Sequence, residues 1–123
     1  MRPTGLGRLL FGGVLAFNGI NHFQNAEEMT GYADSKGIPA ADLAVPVSGG
    51  QLLFGGLGIV LWRLPRLAAG AIATFLAVTT PTMHDFWNAE EEAKQDEMIH
   101  FLKNVVMLGG ALSLLSVADD DAE

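Results

Sequence analysis

The stretch LLFGGLGIVLW, residues 52–62, decides the fold class, because it is apolar on every side of a helix. It lies within residues 43–62, one of four long runs that contain no acidic residue; the others are residues 6–23, 67–83 and 98–118. A helix that crosses a hydrocarbon core needs about 20 residues, within a range of about 17 to 25. Each run reaches that range, so the sequence predicts four membrane-crossing helices.

A soluble bundle conflicts with both the composition and the periodicity of the chain. The chain has 123 residues, enough for one domain, of which 50% are hydrophobic and only 17% are charged. A soluble four-helix bundle shows polar residues recurring with a period of about 3.6, whereas residues 52–62, 67–78 and 105–115 are apolar almost all round. We therefore predict an all-α fold, a four-helix transmembrane bundle, for a multi-pass protein of the cell membrane.

The apolar runs also predict where the helices lie. We expect one membrane domain, residues 1–118, with helices at residues 6–24, 42–62, 66–86 and 98–118, followed by an acidic tail, residues 119–123. The short link at residues 63–66 contains a proline and predicts an antiparallel hairpin. Arg2, Arg8, Arg63 and Arg66 fall on one side of this topology, so the positive-inside rule predicts that both termini are cytoplasmic.

The connection between the first two helices is the longest one. Residues 25–29 predict a short interfacial helix, and Gly31, Gly37 and Pro39 predict turns at the far end of the connection. A short repeat of packing residues flanks it, since LLFGG at residues 9–13 recurs at residues 52–56. Paired glycines let helix backbones approach where lipid supplies no hydrophobic drive for association, so we interpret the repeat as helix packing.

Acidic residues are concentrated outside the apolar runs, at residues 27–42, 85–97 and 119–123, and give a net charge of −7. One explanation is a high-salt cytoplasm, where acidic surfaces keep proteins soluble, and on it we expect a halophilic archaeon as the source. The other explanation is a solvated loop and an acidic tail. We expect no nucleic-acid partner. The chain has no cysteine, which excludes disulfides and cysteine-ligated metal centres.

Polar side chains within the apolar runs gather at one level of the predicted bundle. All three histidines, His22, His84 and His100, fall in the outer half, and Lys103 and Asn104 follow His100 on helix four. Positions i, i+3 and i+4 share a helix face, so His100, Lys103 and Asn104 are expected to form one polar face. Asn18 and Asn21 lie with His22, and Gln51 lies deeper.

Metal or haem binding has little support in these spacings. No histidine lies three or four residues from another, and the motif Glu97-x-x-His100 lacks the second copy that di-iron bundles use. All three histidines also lie too near the surface for an axial haem ligand. We predict no metal site and no intrinsic cofactor, and we interpret Glu97 as a solvated acid of the first helical turn.

A quinone headgroup fits the residue types better. Its carbonyls need donors such as lysine, histidine and asparagine, and its ring stacks on aromatic side chains. We predict that the ligand site comprises His84, Trp87, His100, Lys103 and Asn104, with Asn18, Asn21, His22 and Gln51 around it. A histidine would exchange protons, and Lys103 and Asn104 would donate hydrogen bonds. The alternative is a non-catalytic scaffold or assembly subunit, in which the same polar residues only tie helices together.

Five segments form a pattern along the chain: HDFW at residues 84–87, FLKN at residues 101–104, LGG at residues 108–110, KGIP at residues 36–39 and GGQLLFGG at residues 49–56. Together they resemble the DoxX family of small four-helix membrane proteins. The glycine-rich first helix with Arg8 also fits the family pattern. The similarity spans nearly the whole chain.

The resemblance implies association with quinone-linked respiratory or thiosulfate-oxidising complexes and with oxidative-stress responses. It also implies a role as a membrane subunit, so the expected partners are membrane lipid, a lipoquinone, and a protein partner or a second copy of the chain. The family commonly has an acidic residue at the position of Gln51. A proton-handling role for that carboxylate therefore does not carry over to this chain.

Overall fold

A computed structural model describes residues 2–121, which are 86% helix and contain no strand. The helices are α1 (Gly5–Gln24), α2 (Ala26–Ser35), α3 (Ala41–Leu61), α4 (Pro65–Met83) and α5 (Glu91–Asp121), with a 3-10 turn at Phe86–Asn88. The predicted all-α class is confirmed. The four predicted long helices correspond to α1, α3, α4 and α5.

Two predicted boundaries at the C-terminal end differ from the structure. Helix α5 begins at Glu91, not near residue 98, and it continues to Asp121, into the predicted acidic tail. Glu91 and Glu92 occupy the first turn, where acidic side chains interact favourably with the helix dipole, and the residues that follow are good helix formers. The charges of this segment therefore limit how deeply it can lie in a membrane, but they do not prevent it from forming a helix. Residues 122–123 lie outside the described residues.

The long connection after α1 is also more helical than its sequence predicts. Helix α2 continues to Ser35 and includes Gly31, which we expected in a turn, whereas Gly37 does form a turn with φ of 79°. The reason is tertiary packing: Ala33 is buried against Val45 of α3, with Met29 packed beside them. Such packing outweighs the low helix propensity of a single glycine.

Glycines bring α1 and α3 into backbone contact, as the repeat predicted. A Cβ atom on Gly12 would lie 2.5 Å from the carbonyl oxygen of Gly56, and one on Gly56 would meet the Gly12 carbonyl in return. Farther along, a Cβ on Gly19 would lie 2.6 Å from the Gly49 carbonyl oxygen. No side chain fits at these crossing points, so the two antiparallel helices pack through their backbones.

The main core lies between α1, α3, α4 and α5. The largest fully buried side chains are Leu52 and Ile59 of α3 and Ile72 and Leu76 of α4. Small residues let α5 pack closely against α4, since Ala69 of α4 and Ala111 of α5 are completely buried. This packing fixes how α5 is rotated, which decides which of its polar residues face inward.

Much of the outer surface is apolar, as expected for a bundle surrounded by lipid. Three helical segments are long and apolar enough to cross a membrane: residues Ala41–Leu61, Pro65–Asn88 and Glu91–Asp119. Helix α1 has 20 residues, but Arg8 and the Asn18–His22 segment interrupt its apolar sequence, and it does not qualify. Of the four predicted crossings, three thus meet the criteria of length and apolarity.

The two ends of the bundle differ in chemistry. At one end, the Arg8 guanidinium donates to the Val60 carbonyl oxygen at 3.3 Å, and Arg66 pairs with Asp119 at 2.9 Å. At the other end, the His84 and His100 rings stack with their centroids 5.2 Å apart. We call these the arginine end and the histidine end, and the candidate site lies toward the histidine end.

Candidate functional site

A cavity of about 650 Å³ lies between the helices, toward the histidine end. Its walls are α3 and α4, α2 covers it, and α1 and α5 contribute one residue each, His22 and Asn104. Most of the surface that faces the cavity is apolar, and Val45 and Phe75 are among the apolar side chains that contribute to it. Its volume lies within the range of about 300–1,000 Å³ that is typical of small-molecule sites.

The cavity opens sideways between α3 and α4. Val47 and Val78 both line it, and both are also about 60% exposed on the outer surface of the bundle. Around the histidine end the outer surface of these helices is apolar, so the opening faces the region that lipid would occupy. A ligand with an apolar tail could therefore enter from the bilayer.

The structure brings together only part of the predicted ligand site. Of the five residues predicted for it, His84 and Asn104 line the cavity, and two of the surrounding residues, His22 and Gln51, line it as well. The other two, Asn18 and Asn21, line an adjoining space of about 170 Å³, which shares His22 and Asn104 with the larger cavity.

The remaining three predicted ligand residues line neither of these two cavities within residues 2–121. Lys103 is exposed on α5, and so is His100, apart from its stacking on His84. Trp87 is half exposed and packs edge-on against Phe86 and Phe101. The expected shared polar face on α5 is thus split, with Asn104 turned inward and Lys103 turned outward.

His22 is held in a defined orientation by its own helix. Its Nδ1 atom lies 2.8 Å from the carbonyl oxygen of Asn18. A carbonyl can only accept, so Nδ1 carries the hydrogen, and in the neutral ring Nε2 is left as an acceptor. The ring also packs edge-on against the Phe75 ring of α4, with the two ring centroids 6.1 Å apart, and so bridges α1 and α4.

Gln51 ties the two walls of the cavity together. Its side-chain amide donates to the carbonyl oxygen of Ala71 on α4 at 3.0 Å. A neutral amide that bridges helices in this way stabilises their association through a hydrogen bond. Its own carbonyl oxygen stays available to accept from another partner. The position where the family commonly has an acid is therefore a fixed, uncharged hydrogen-bonding group in this chain.

The interpretation of Glu97 as a solvated acid was wrong. Its side chain is only 16% exposed, and one carboxylate oxygen lies 3.6 Å from Nδ1 of His84. Both atoms are buried without a hydrogen-bond partner of their own. Among residues 2–121 no three histidines or acids come together in an arrangement that could hold a metal ion. The His84 and His100 rings are stacked, so their in-plane lone pairs do not converge on one point.

Sequence reasoning also missed α2 as part of the site. Tyr32 and Ala33 lie three and four residues after Met29, and all three line the cavity. This amphipathic pattern was a readable signal. The Tyr32 hydroxyl donates to the Met83 carbonyl oxygen at 3.2 Å, and burial raises the pKa of the Tyr32 phenol above its ordinary value.

An ion pair holds the turn after α2 against the end of α4. The Lys36 ammonium lies 2.7 Å from a carboxylate oxygen of Asp85. This hydrogen bond raises the pKa of Lys36 above its ordinary value, so the lysine stays charged throughout the physiological range. The pair and the Tyr32 hydrogen bond together keep α2 closed over the cavity.

Replacing Lys36 with methionine is expected to lower the free energy of unfolding by up to about 1 kcal/mol, because the pair is partly screened by solvent. The two side chains are 23% and 22% exposed. Thermal unfolding of the purified protein in detergent measures the effect, and Lys103→Met on the exposed face of α5 is the control. An equal or larger loss in Lys103→Met would contradict the anchoring role of Lys36.

Comparison with protein families supports the resemblance seen in the sequence. The DoxX family model matches residues 4–85, which is more than half of the chain and includes four of the five helices. No curated protein and no solved structure matches the chain. The matched segment contains every residue that lines the larger cavity except Asn104.

Proposed function

The chain belongs to the DoxX family of membrane proteins, and from that membership and the cavity we propose that it binds a quinone-type amphiphile. The protein would be a multi-pass subunit of the cell membrane that is linked to quinone-coupled redox or oxidative-stress chemistry. The observation that carries the proposal is the apolar cavity of about 650 Å³ that opens between two helices long and apolar enough to cross a membrane.

The lining suits a flat ring with a polar edge. Phe75 and Val45 provide apolar surface for the ring, while the sideways opening at Val47 and Val78 gives an isoprenoid tail a path into lipid. Asn104 supplies amide hydrogens that can donate to a quinone carbonyl. No intrinsic cofactor is needed for such binding, and a redox centre would belong to a partner subunit.

Binding of a short-chain naphthoquinone to the protein in lipid nanodiscs tests the proposal. We expect saturable binding to the unchanged protein, and Asn104→Leu is expected to weaken it about tenfold, equivalent to about 1.4 kcal/mol, because it removes the donor and keeps the volume. Isothermal titration calorimetry gives both affinities.

Lys103→Ala is the matched control for this experiment, because Lys103 is the neighbouring residue on α5 but lies on its exposed side. Its affinity for the naphthoquinone is expected to stay within twofold or so of the unchanged protein, well under the tenfold step. Absence of saturable binding, or a loss in Lys103→Ala equal to that in Asn104→Leu, would overturn the proposed site.

A second candidate function is a membrane scaffold or assembly subunit, and the surface of α5 favours it. In the most apolar window of α5 only 11% of the residues are buried, against 33% in α3 and in α4. This helix therefore offers the widest uncovered face to a partner subunit or a second copy of the chain. Co-purification of a stoichiometric partner, together with absence of quinone binding, would favour this function over the first.

A further inference from the structure

We propose that the cavity selects ligands whose headgroup donates hydrogen bonds, so that it binds a hydroquinone in preference to the corresponding quinone. This inference rests on the proposed function and specifies the ligand that the same cavity takes. Its basis is a count of which polar hydrogens the cavity has left to offer. A quinone presents two carbonyl acceptors, whereas a hydroquinone presents two hydroxyl donors.

The hydroxyl groups of the cavity have already used their hydrogens. Ser48 donates to the Ala44 carbonyl oxygen at 2.8 Å, and Thr79 and Thr82 each donate to a carbonyl one turn back on α4, both at 2.7 Å. The hydroxyl hydrogen of Tyr32 is likewise used on Met83. Each hydroxyl oxygen keeps its lone pairs, so these side chains can accept a hydrogen bond but have no hydrogen left to donate.

Both histidines of the cavity present Nε2 as an acceptor when neutral, His22 because of a hydrogen bond and His84 because of the charge beside its Nδ1 atom. The Nδ1 hydrogen of His22 points to the Asn18 carbonyl at 2.8 Å. Nδ1 of His84 faces a carboxylate oxygen of Glu97 at 3.6 Å, which is too far for a hydrogen bond, but a lone pair on Nδ1 would repel that oxygen, so the neutral ring favours the hydrogen on Nδ1. In each ring Nε2 then carries the free lone pair.

The two amides of the cavity are the exceptions and do not reverse the balance. Gln51 uses one of its two amide hydrogens on Ala71, which leaves one to donate, and Asn104 is the other donor group among acceptors. Glu28 adds a further carboxylate to the lining. A quinone carbonyl can thus receive a hydrogen bond from Asn104 or from the remaining amide hydrogen of Gln51, but a hydroquinone hydroxyl has a larger number of acceptors, including two imidazole nitrogens.

Affinities of three related probes test the proposal at pH 8, above the ordinary imidazole pKa of about 6.5. The probes are a short-chain naphthoquinone, its hydroquinone kept reduced under anaerobic conditions, and the dimethyl ether of that hydroquinone. The ether keeps the ring and both oxygen atoms but carries two methyl groups in place of the donor hydrogens. We expect the hydroquinone to bind at least about tenfold more tightly than the other two, since only it pairs with the buried acceptors.

Histidine variants locate the preference within the cavity. His22→Phe and His84→Phe keep an aromatic ring and remove the acceptor, and each is expected to reduce the hydroquinone preference to about threefold or less. His100→Phe is the control, because His100 is exposed and lines neither cavity described above. Should a histidine variant fail to fold, the three-probe comparison on the unchanged protein still decides the matter.

The outcomes separate this inference from the proposed function. Equal affinity for quinone and hydroquinone in the unchanged protein would overturn the inference and leave quinone-type binding intact. A preference that survives in both His22→Phe and His84→Phe would overturn it too, because the imidazoles would then not be the acceptors. Absence of binding by all three probes would overturn the proposed function and the inference together.

Discussion

Replacing Gly56 with alanine is expected to lower the free energy of unfolding by about 1–3 kcal/mol, the usual cost of forcing extra volume into packed structure. A Cβ atom there would lie 2.6 Å from the backbone nitrogen of Ala16 and would also meet the Gly12 carbonyl. Backbone atoms cannot move aside as a flexible side chain can, so α1 and α3 would have to separate. Thermal unfolding in detergent measures the loss.

Gly50→Ala on the same helix is the control, because nothing lies within 4 Å of a Cβ atom at that position. Its stability is expected to stay the same or to rise, since alanine gains up to about 1 kcal/mol of helix propensity over glycine. The pair Gly12→Ala and Gly13→Ala repeats the comparison on α1, where only Gly12 faces the α3 backbone. Equal stability of Gly56→Ala and Gly50→Ala would contradict the backbone-contact account.

The other large effect is expected from filling the cavity. Ala44 lines it from α3, and Ala44→Phe would place a ring in the space that the ligand needs. We expect the affinity for the hydroquinone probe to fall at least a hundredfold, equivalent to about 2.7 kcal/mol or more, because the ring and the ligand exclude each other. Titration in nanodiscs measures the loss.

Ala77→Phe provides the matched control for that variant. Ala77 lies on the exposed side of α4 and outside the lining of the cavity, so the same substitution there adds a ring toward lipid. Affinity is expected to be unchanged. Circular dichroism of both variants shows whether each keeps its helix content, and unchanged affinity in a folded Ala44→Phe would place the ligand elsewhere.

The long helices were predictable because bilayer thickness determines how long an apolar run must be. The repeat of paired glycines predicted helix packing, since a helix pair in lipid associates through its small residues, but only the structure shows that Gly12 meets Gly56. Sequence reasoning misplaced the start of α5, because polarity marks where a helix leaves the hydrocarbon and not where it begins. It also underestimated α2, whose helicity depends on the burial of Ala33 against α3.

The depth of the candidate site in the bundle could be predicted from the sequence, but which side chains of a helix face the cavity could not. His22, His84 and Asn104 do line one cavity, as their shared depth predicted. Asn104 and Lys103 are neighbours in sequence, however, and successive residues point about 100° apart around a helix. A shared depth therefore does not give a shared face, and the packing of α5 on α4 turns Asn104 toward the cavity and leaves Lys103 exposed.

Glu97 shows which sequence signal decides the inward face of α5. It lies seven residues before Asn104, and Asn104 lies seven before the buried Ala111, so the three share one side of the helix. Counting back from Ala111 in steps of seven residues would have placed Glu97 on the inward face of α5, where it meets His84. The hydrogen-bond balance of the cavity could not be predicted at all, because it depends on where each hydroxyl hydrogen points.

The claim at the centre of this account is that the cavity holds a quinone-type ligand. Mass spectrometry of the lipid-soluble material bound to the protein, purified in mild detergent from its native membrane, tests it most directly. We predict about one lipoquinone per chain in the unchanged protein and none in Ala44→Phe. Phospholipid alone in both samples would contradict the claim.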